Sequence, residues 1–201
     1  MRSANGVGKL TTGMTGAAAK VNCAGSMMRR TAIVLSLAGL LLLGTGACVY
    51  SFRWPIVNAL IRGEFRDVKP ITTGELDAWL ADDSRAAPLL VDTRTRAEYD
   101  LSHLAGAEYG GADAEFPLAG VAKDRPIVAY CSVGYRSGRF ARTLRAAGFT
   151  NVHNLEGSIF KWANEGRPVF RGSERVTEVH PYNGTWGLLL NEQYRPRVAT
   201  H

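Results

Sequence analysis

The chain has 201 residues, 46% of them hydrophobic, enough for one domain of ordinary size with additions. Its formal charge of +6 is unevenly placed: all 18 Asp and Glu lie from Glu64 onward with 17 of the 24 Lys and Arg, so the basic excess belongs to the N-terminal segment, and no basic stripe with interleaved aromatics indicates nucleic-acid binding. Cys23 and Cys48 fall in that segment and only Cys131 lies beyond it, which leaves the folded part with neither an internal disulfide nor a resolving cysteine.

Residues 1–30 are rich in Gly, Ala, Ser and Thr, lack acidic residues and are expected to be disordered. Met27 and Met28, just before Arg29 and Arg30, offer alternative starts. From Thr31 to Phe52 run 22 uncharged residues, about the length a helix needs to cross a hydrocarbon core of roughly 30 Å. Residues 31–53 are therefore expected to form a transmembrane or signal-anchor helix. Two further readings stay open: a lipoprotein signal with Cys48 lipidated after Thr45-Gly46-Ala47, which matches the bacterial lipobox only in part, and ordinary signal cleavage. The paired arginines put the N-terminus inside, and the domain on the periplasmic or extracytoplasmic side.

Residues 54–69 read as a linker, interrupted at Pro55. The domain is expected over 70–168, with a first strand at Val68 to Ile71 and a short helix capped by Thr73, striped by Leu76, Trp79 and Leu80 and ending near Asp83. Pro88 to Val91 is a buried strand ending at Asp92. Asp92, Arg94 and Glu98 after it read as a charge network bracing loops, and His103 as a loop histidine in a bracing role. A short strand or turn at Ala107 to Tyr109 and a weak helix over Ala112 to Ala119 follow.

Pro126 to Tyr130 is a second buried strand, and Gly138 to Ala147 places Phe140, Ala141, Leu144 and Ala147 at helical spacing. Between them lies Cys131-Ser132-Val133-Gly134-Tyr135-Arg136-Ser137. Both Asp92 and Cys131 follow apolar strands, so they are expected at one edge of the sheet, where ligands bind in open α/β folds. A loop that runs into a helix offers unpaired N–H groups and the positive end of the helix dipole. A cysteine held there, with Arg136 and Arg139 nearby, has its thiolate favoured and becomes a nucleophile. Asn151 to Leu155 reads as the last strand and Ile159 to Trp162 as a short helix closed by Gly166 and Pro168, with Trp162 in the core. Residues 169–201 form a C-terminal extension. Its segment 179–190 is apolar, which leaves packing on the domain, a protein partner or a membrane surface open.

Asp92-Thr93-Arg94-Thr95-Arg96-Ala97-Glu98-Tyr99-Asp100-Leu101-Ser102-His103-Leu104-Ala105-Gly106-Ala107 resembles the D-x-R-x-x-x-E-[FY]-x-x-G-H-[IL]-x-G-A signature of the rhodanese-like sulfurtransferase domain, and Cys131 to Arg136 followed by Ser137 resembles its six-residue active loop. The resemblance covers Ile71 to Pro168. It implies an α/β fold: a mostly parallel central sheet of about five strands flanked by helices, with no cofactor and no metal. It implies that Cys131 attacks the outer sulfur of a small anionic donor such as thiosulfate, becomes a persulfide, and passes the sulfur to cyanide or a thiol acceptor. Ser132, Val133, Gly134, Tyr135, Arg136 and Ser137 would then form the anion-binding loop, with Arg136 the candidate for the substrate's negative charge; Asp92, Arg94, Glu98 and His103 would support it. The chain departs from the family at Ser102, Ser132, Val133 and Ser158. Ser132 stands where thiosulfate enzymes often carry Arg, which favours a persulfide donor.

Two rival readings have different tests. Dual-specificity phosphatases and arsenate reductases share the loop-helix logic with a loop one residue longer, so the spacing here favours sulfur transfer. A membrane-tethered sulfur carrier, redox sensor or protein-binding module would keep the loop but show no turnover.

Overall fold

Short strands, the central two buried along their whole length, assemble into one parallel sheet in the computed structural model, which describes residues 53–111 and 120–196. The strands are β1 (Lys69–Ile71), β2 (Leu89–Asp92), β3 (Glu108–Tyr109), β4 (Ile127–Tyr130) and β5 (Val152–Leu155), in the order β1-β5-β4-β2-β3. The helices are α1 (53–64), α2 (Thr73–Leu80), α3 (Arg96–Leu101), α4 (Tyr135–Ala146) and α5 (Ser158–Asn164). An antiparallel hairpin, β6 (Val169–Arg171) and β7 (Glu174–Val176), and two 3₁₀ turns at Trp186–Leu189 and Glu192–Tyr194 complete the described chain.

Strand alternation divides the core between the two faces of the sheet. Leu89, Val91, Ile127 and Ala129 point to one side, where Phe140, Ala141 and Leu144 of α4 cover them. Leu90, Val128 and Tyr130 point to the other, where they meet Leu76 and Trp79 of α2 and Ile159, Phe160 and Trp162 of α5. Central strands covered on both faces explain why the sequence shows continuous apolar runs there. The parallel register sets Asp92 beside Tyr130, so Asp92 and Cys131 emerge at the same edge.

Several local expectations change. The cap of α2 is Thr72, whose hydroxyl accepts from the Glu75 N–H while the Glu75 carboxylate accepts from the Thr72 N–H. Leu80 is 37% exposed, outside the core, and α2 ends there. The segment expected as a linker is helical over 53–64, Pro55 included. Its reason is packing: Trp54 and Val57 lie against one core half and Ile61 against the other, with the neighbouring Phe65 buried in it, at spacings of three and four residues that form a helical stripe. The C-terminal extension packs back on the domain, burying Val169, Val179 and Leu190 in the core beside Trp162. The expected disordered segment 1–30, the membrane segment 31–52 and the weak helix over 112–119 lie outside the described residues; among the described residues no helix is long and apolar enough to cross a membrane.

Candidate active site

The loop from Cys131 to Gly134 leaves the end of β4 and turns directly into α4, which begins at Tyr135, earlier than periodicity alone indicates. Gly134 makes that turn possible. It adopts φ 115°, and a Cβ there would also lie 3.3 Å from Ile61 Cδ1 and 3.5 Å from the Leu155 carbonyl oxygen. As a result Arg136 and Ser137 stand in the first helical turn, and the free N–H groups of α4 face the cysteine.

The Gly134 N–H donates to Cys131 Sγ at 3.1 Å. Burial pushes the Cys131 thiol pKa up, but the Arg136 charge, the N–H groups of Ser137 and Gly134 and the Ser137 hydroxyl outweigh it and bring the pKa below its ordinary value. Cys131 is 1% exposed. A thiolate in so dry a place is stabilised only by donors already aimed at it, and those donors are present.

Neighbouring elements fix the loop. The Cys131 N–H donates to Ser158 Oγ at 3.1 Å, while Ile159 and Phe160 N–H groups at the start of α5 donate to the carbonyls of Cys131 and Ser132. Asn154 Nδ2 donates to the Gly134 carbonyl at 2.9 Å, and Ser137 donates to Asn154 Oδ1 at 2.7 Å. Ser158 sits at φ 48°, a conformation that favours glycine, and its hydroxyl also donates to the Leu155 carbonyl. The departure from a Gly-Gly turn therefore supplies a hydrogen bond to the Cys131 backbone.

Glu98 is the second centre of the site. Its carboxylate accepts from the Thr95 N–H, closing the capping box of α3, and takes a bidentate pair from Arg136 at 2.7 and 2.8 Å. Ser132 Oγ donates to it at 3.1 Å and accepts from Arg136 at 2.9 Å. Burial pushes the Glu98 carboxyl up, but Arg136, Thr95 and Arg94 bring it down to about 2. Arg136, expected to meet the substrate's negative charge, is thus ion-paired with Glu98, and Ser132 joins the same network.

The remaining signature residues brace the frame. Asp92 and Arg94, both fully buried, form a pair with Arg94 Nη2 2.7 Å from Asp92 Oδ2, and Arg94 also donates to the Ser102 carbonyl. Ser102 has extended backbone, φ −167°, which any residue adopts, so glycine is not needed there. His103 Nδ1 contacts the Tyr99 carbonyl at 3.0 Å, its ring stacks on Tyr99 at 4.2 Å, and its backbone bridges Phe170. None of these contacts reaches Cys131. Arg139 is exposed, and Arg142 pairs with Asp67.

A cavity of about 110 Å³ opens onto Cys131, lined by Val133, Tyr135, Arg136, Tyr182 and Trp186. The last two residues come from the C-terminal extension. Sequence reasoning missed them, along with Asn154 and the α1 stripe. The stripe was visible as Trp54, Val57, Ile61 and Phe65; for Tyr182 and Trp186 no local signal existed.

The family model described as Rhodanese-like domain matches residues 72–165. A protein named sulfurtransferase from Allochromatium vinosum is 34% identical over 103 residues, covering 51% of this chain and 94% of that protein. The probable adenylyltransferase/sulfurtransferase MoeZ of Mycobacterium tuberculosis is 35% identical over 101 residues, 49% of this chain and only 25% of MoeZ. The tRNA uridine(34) hydroxylase of Sodalis glossinidius is 35% identical over 134 residues, 61% of this chain and 35% of its own length.

Proposed function

Since the chain belongs to the rhodanese-like family, we propose that it is a sulfurtransferase in which Cys131 takes up sulfane sulfur as a persulfide and hands it to a thiophilic acceptor. The observation that carries this reading is the cradle around Cys131 Sγ: a donated N–H from Gly134 at 3.1 Å at the head of a twelve-residue helix, with Arg136 behind it. In the first step the Cys131 thiolate attacks the outer sulfur of the donor. The donor's sulfur–sulfur bond breaks, its remainder leaves with the electron pair, and a Cys131–S–S⁻ persulfide remains. A thiolate or cyanide acceptor then attacks the terminal sulfur and releases the Cys131 thiolate. The loop N–H groups stabilise anionic sulfur in both states without reorganising, and together with the Arg136 charge they favour the thiolate that attacks. The donor is thiosulfate or a persulfide. The uncharged run 31–52 supports placement of the domain at a membrane, which fractionation of cells producing the full chain tests.

The test uses the full chain and Cys131→Ser, each incubated with thiosulfate and with an organic persulfide, followed by intact-mass measurement and a cyanide chase. A gain of one sulfur, about 32 Da, that requires Cys131 and turns over is the expected result. Sulfur that loads without turnover would indicate a carrier, and absence of Cys131-dependent loading with every donor would overturn the reading.

A further inference from the structure

The cavity above Cys131 is unusual for a site meant to take a small dianion. Its one cation, Arg136, is already paired bidentately with Glu98, and its remaining walls are Val133, Tyr135, Tyr182 and Trp186. At about 110 Å³ it is larger than a single water requires and suits a small organic group. Tyr182 places its ring centroid 4.6 Å from the Arg136 guanidinium carbon, so an aromatic wall stands beside the one cation of the cavity.

These aromatics are held in place by their own turn. Tyr182 adopts φ 64°, the left-handed region that a tyrosine rarely occupies. Its N–H donates to His180 Nδ1 at 3.1 Å; the Asn183 side chain accepts from the Trp186 N–H at 2.9 Å, and the Asn183 carbonyl accepts from the Gly187 N–H. Gly187 is required, because a Cβ would lie 2.9 Å from Pro181 Cβ. Below the turn, Val179 and Leu190 are buried in the core and Asn164 of α5 donates to the Leu189 carbonyl at 2.7 Å. A strained residue maintained by this much surrounding structure, with its ring on the active loop, points to a role at the site.

We infer that Tyr182 and Trp186, outside the 72–165 family match, form the leaving-group subsite of the donor and select a sulfane-sulfur compound bearing an apolar, ring-sized substituent over thiosulfate. This rests on the sulfurtransferase reading and specifies its donor. With benzenethiosulfonate as probe, the Cys131 thiolate takes the terminal sulfur, the sulfur–sulfur bond of the probe breaks, and benzenesulfinate leaves with the electron pair. Thiosulfate reacts in the same way and releases sulfite. The two donors thus differ chiefly in a phenyl group replacing a charged oxygen.

The full chain, Tyr182→Ala, Trp186→Ala, Tyr182→Phe and Trp186→Phe are compared for kcat/KM with both donors at one acceptor concentration. Both side chains are partly exposed, so truncation leaves the buried Val179 and Leu190 in place. In either alanine variant the benzenethiosulfonate-to-thiosulfate ratio is expected to fall about tenfold, through KM for benzenethiosulfonate, and in the phenylalanine variants to stay near that of the unaltered chain. An unchanged ratio in both alanine variants, with Cys131 still loading, overturns the inference and leaves the sulfurtransferase reading standing. Failure of the unaltered chain to load from any donor overturns both.

Discussion

Glu98 serves two structures at once, capping α3 through Thr95 and holding Arg136 against the loop. Its carboxyl is held at about 2 against an ordinary value of 4.5, so it contributes stability that is fully present above about pH 4.5 and lost as the pH falls from there through about 2. The amount is on the order of 3 kcal/mol. Urea unfolding between pH 7 and pH 2 should show this acid loss, and Glu98→Gln should flatten it while lowering stability at pH 7. Arg136 is the foremost of the groups that lower the Cys131 pKa against burial. Arg136→Gln is therefore expected to raise the apparent pKa of Cys131, moving the rising limb of its alkylation rate to higher pH. Pairing it with Glu98→Gln removes the carboxylate otherwise left buried without its cation, and the rise should persist in the double variant. The buried Asp92–Arg94 pair makes no contact with Cys131, although the Arg94 charge adds to the lowering of Glu98. Its truncation at Arg94→Leu should cost about 3–5 kcal/mol in urea unfolding by leaving the buried Asp92 carboxyl without its partner.

Among the elements, α4 packs tightly against Phe65, the residue that follows α1. A Cβ on Gly138 would lie 2.5 Å from the Phe65 ring, which is itself edge-on to Tyr135. In an isolated helix Gly→Ala is stabilising by about 1 kcal/mol. Here Gly138→Ala is expected to destabilise by about 1–3 kcal/mol in chemical denaturation, because the buried ring has little room to retreat. Phe65→Leu in the same chain should recover part of that loss, a coupling that a merely local helix effect would not produce. The helical stripe of α1 packs in the same way: Trp54 and Val57 lie partly buried against one core half and Ile61 against the other.

At the scale of the whole molecule, the C-terminal extension is part of the core as well as a wall of the site. Val179 and Leu190 are fully buried. Ending the chain after Val176 would expose their partners and is expected to cost about 3–6 kcal/mol, at about 1.5–3 kcal/mol for each buried side chain, read as a lowered midpoint in thermal or urea unfolding. The resemblance seen in the sequence stops at Pro168, yet the folded unit does not. His103, inside the family signature, bridges Phe170 beyond it.

The sequence by itself determined the buried strands and the position of Cys131 at a strand-loop-helix junction, because both rest on local features: short apolar runs, a glycine where the loop turns into a helix, and helical spacing after it. The parallel sheet followed from the resemblance to the rhodanese-like domain. It also put Asp92 and Cys131 at one sheet edge, since each ends a buried strand. Only the tertiary structure decided what Arg136 does. Its partner Glu98 is 38 residues away, and nothing in the loop distinguishes a free guanidinium from an ion-paired one. The same holds for Tyr182 and Trp186, whose composition marks an apolar tail but whose placement over Cys131 depends on burial of Val179 and Leu190 against α5 and the sheet. Periodicity and turn chemistry act over a few residues, whereas the charge balance and the walls of this site are set by contacts between segments that meet only when the core closes.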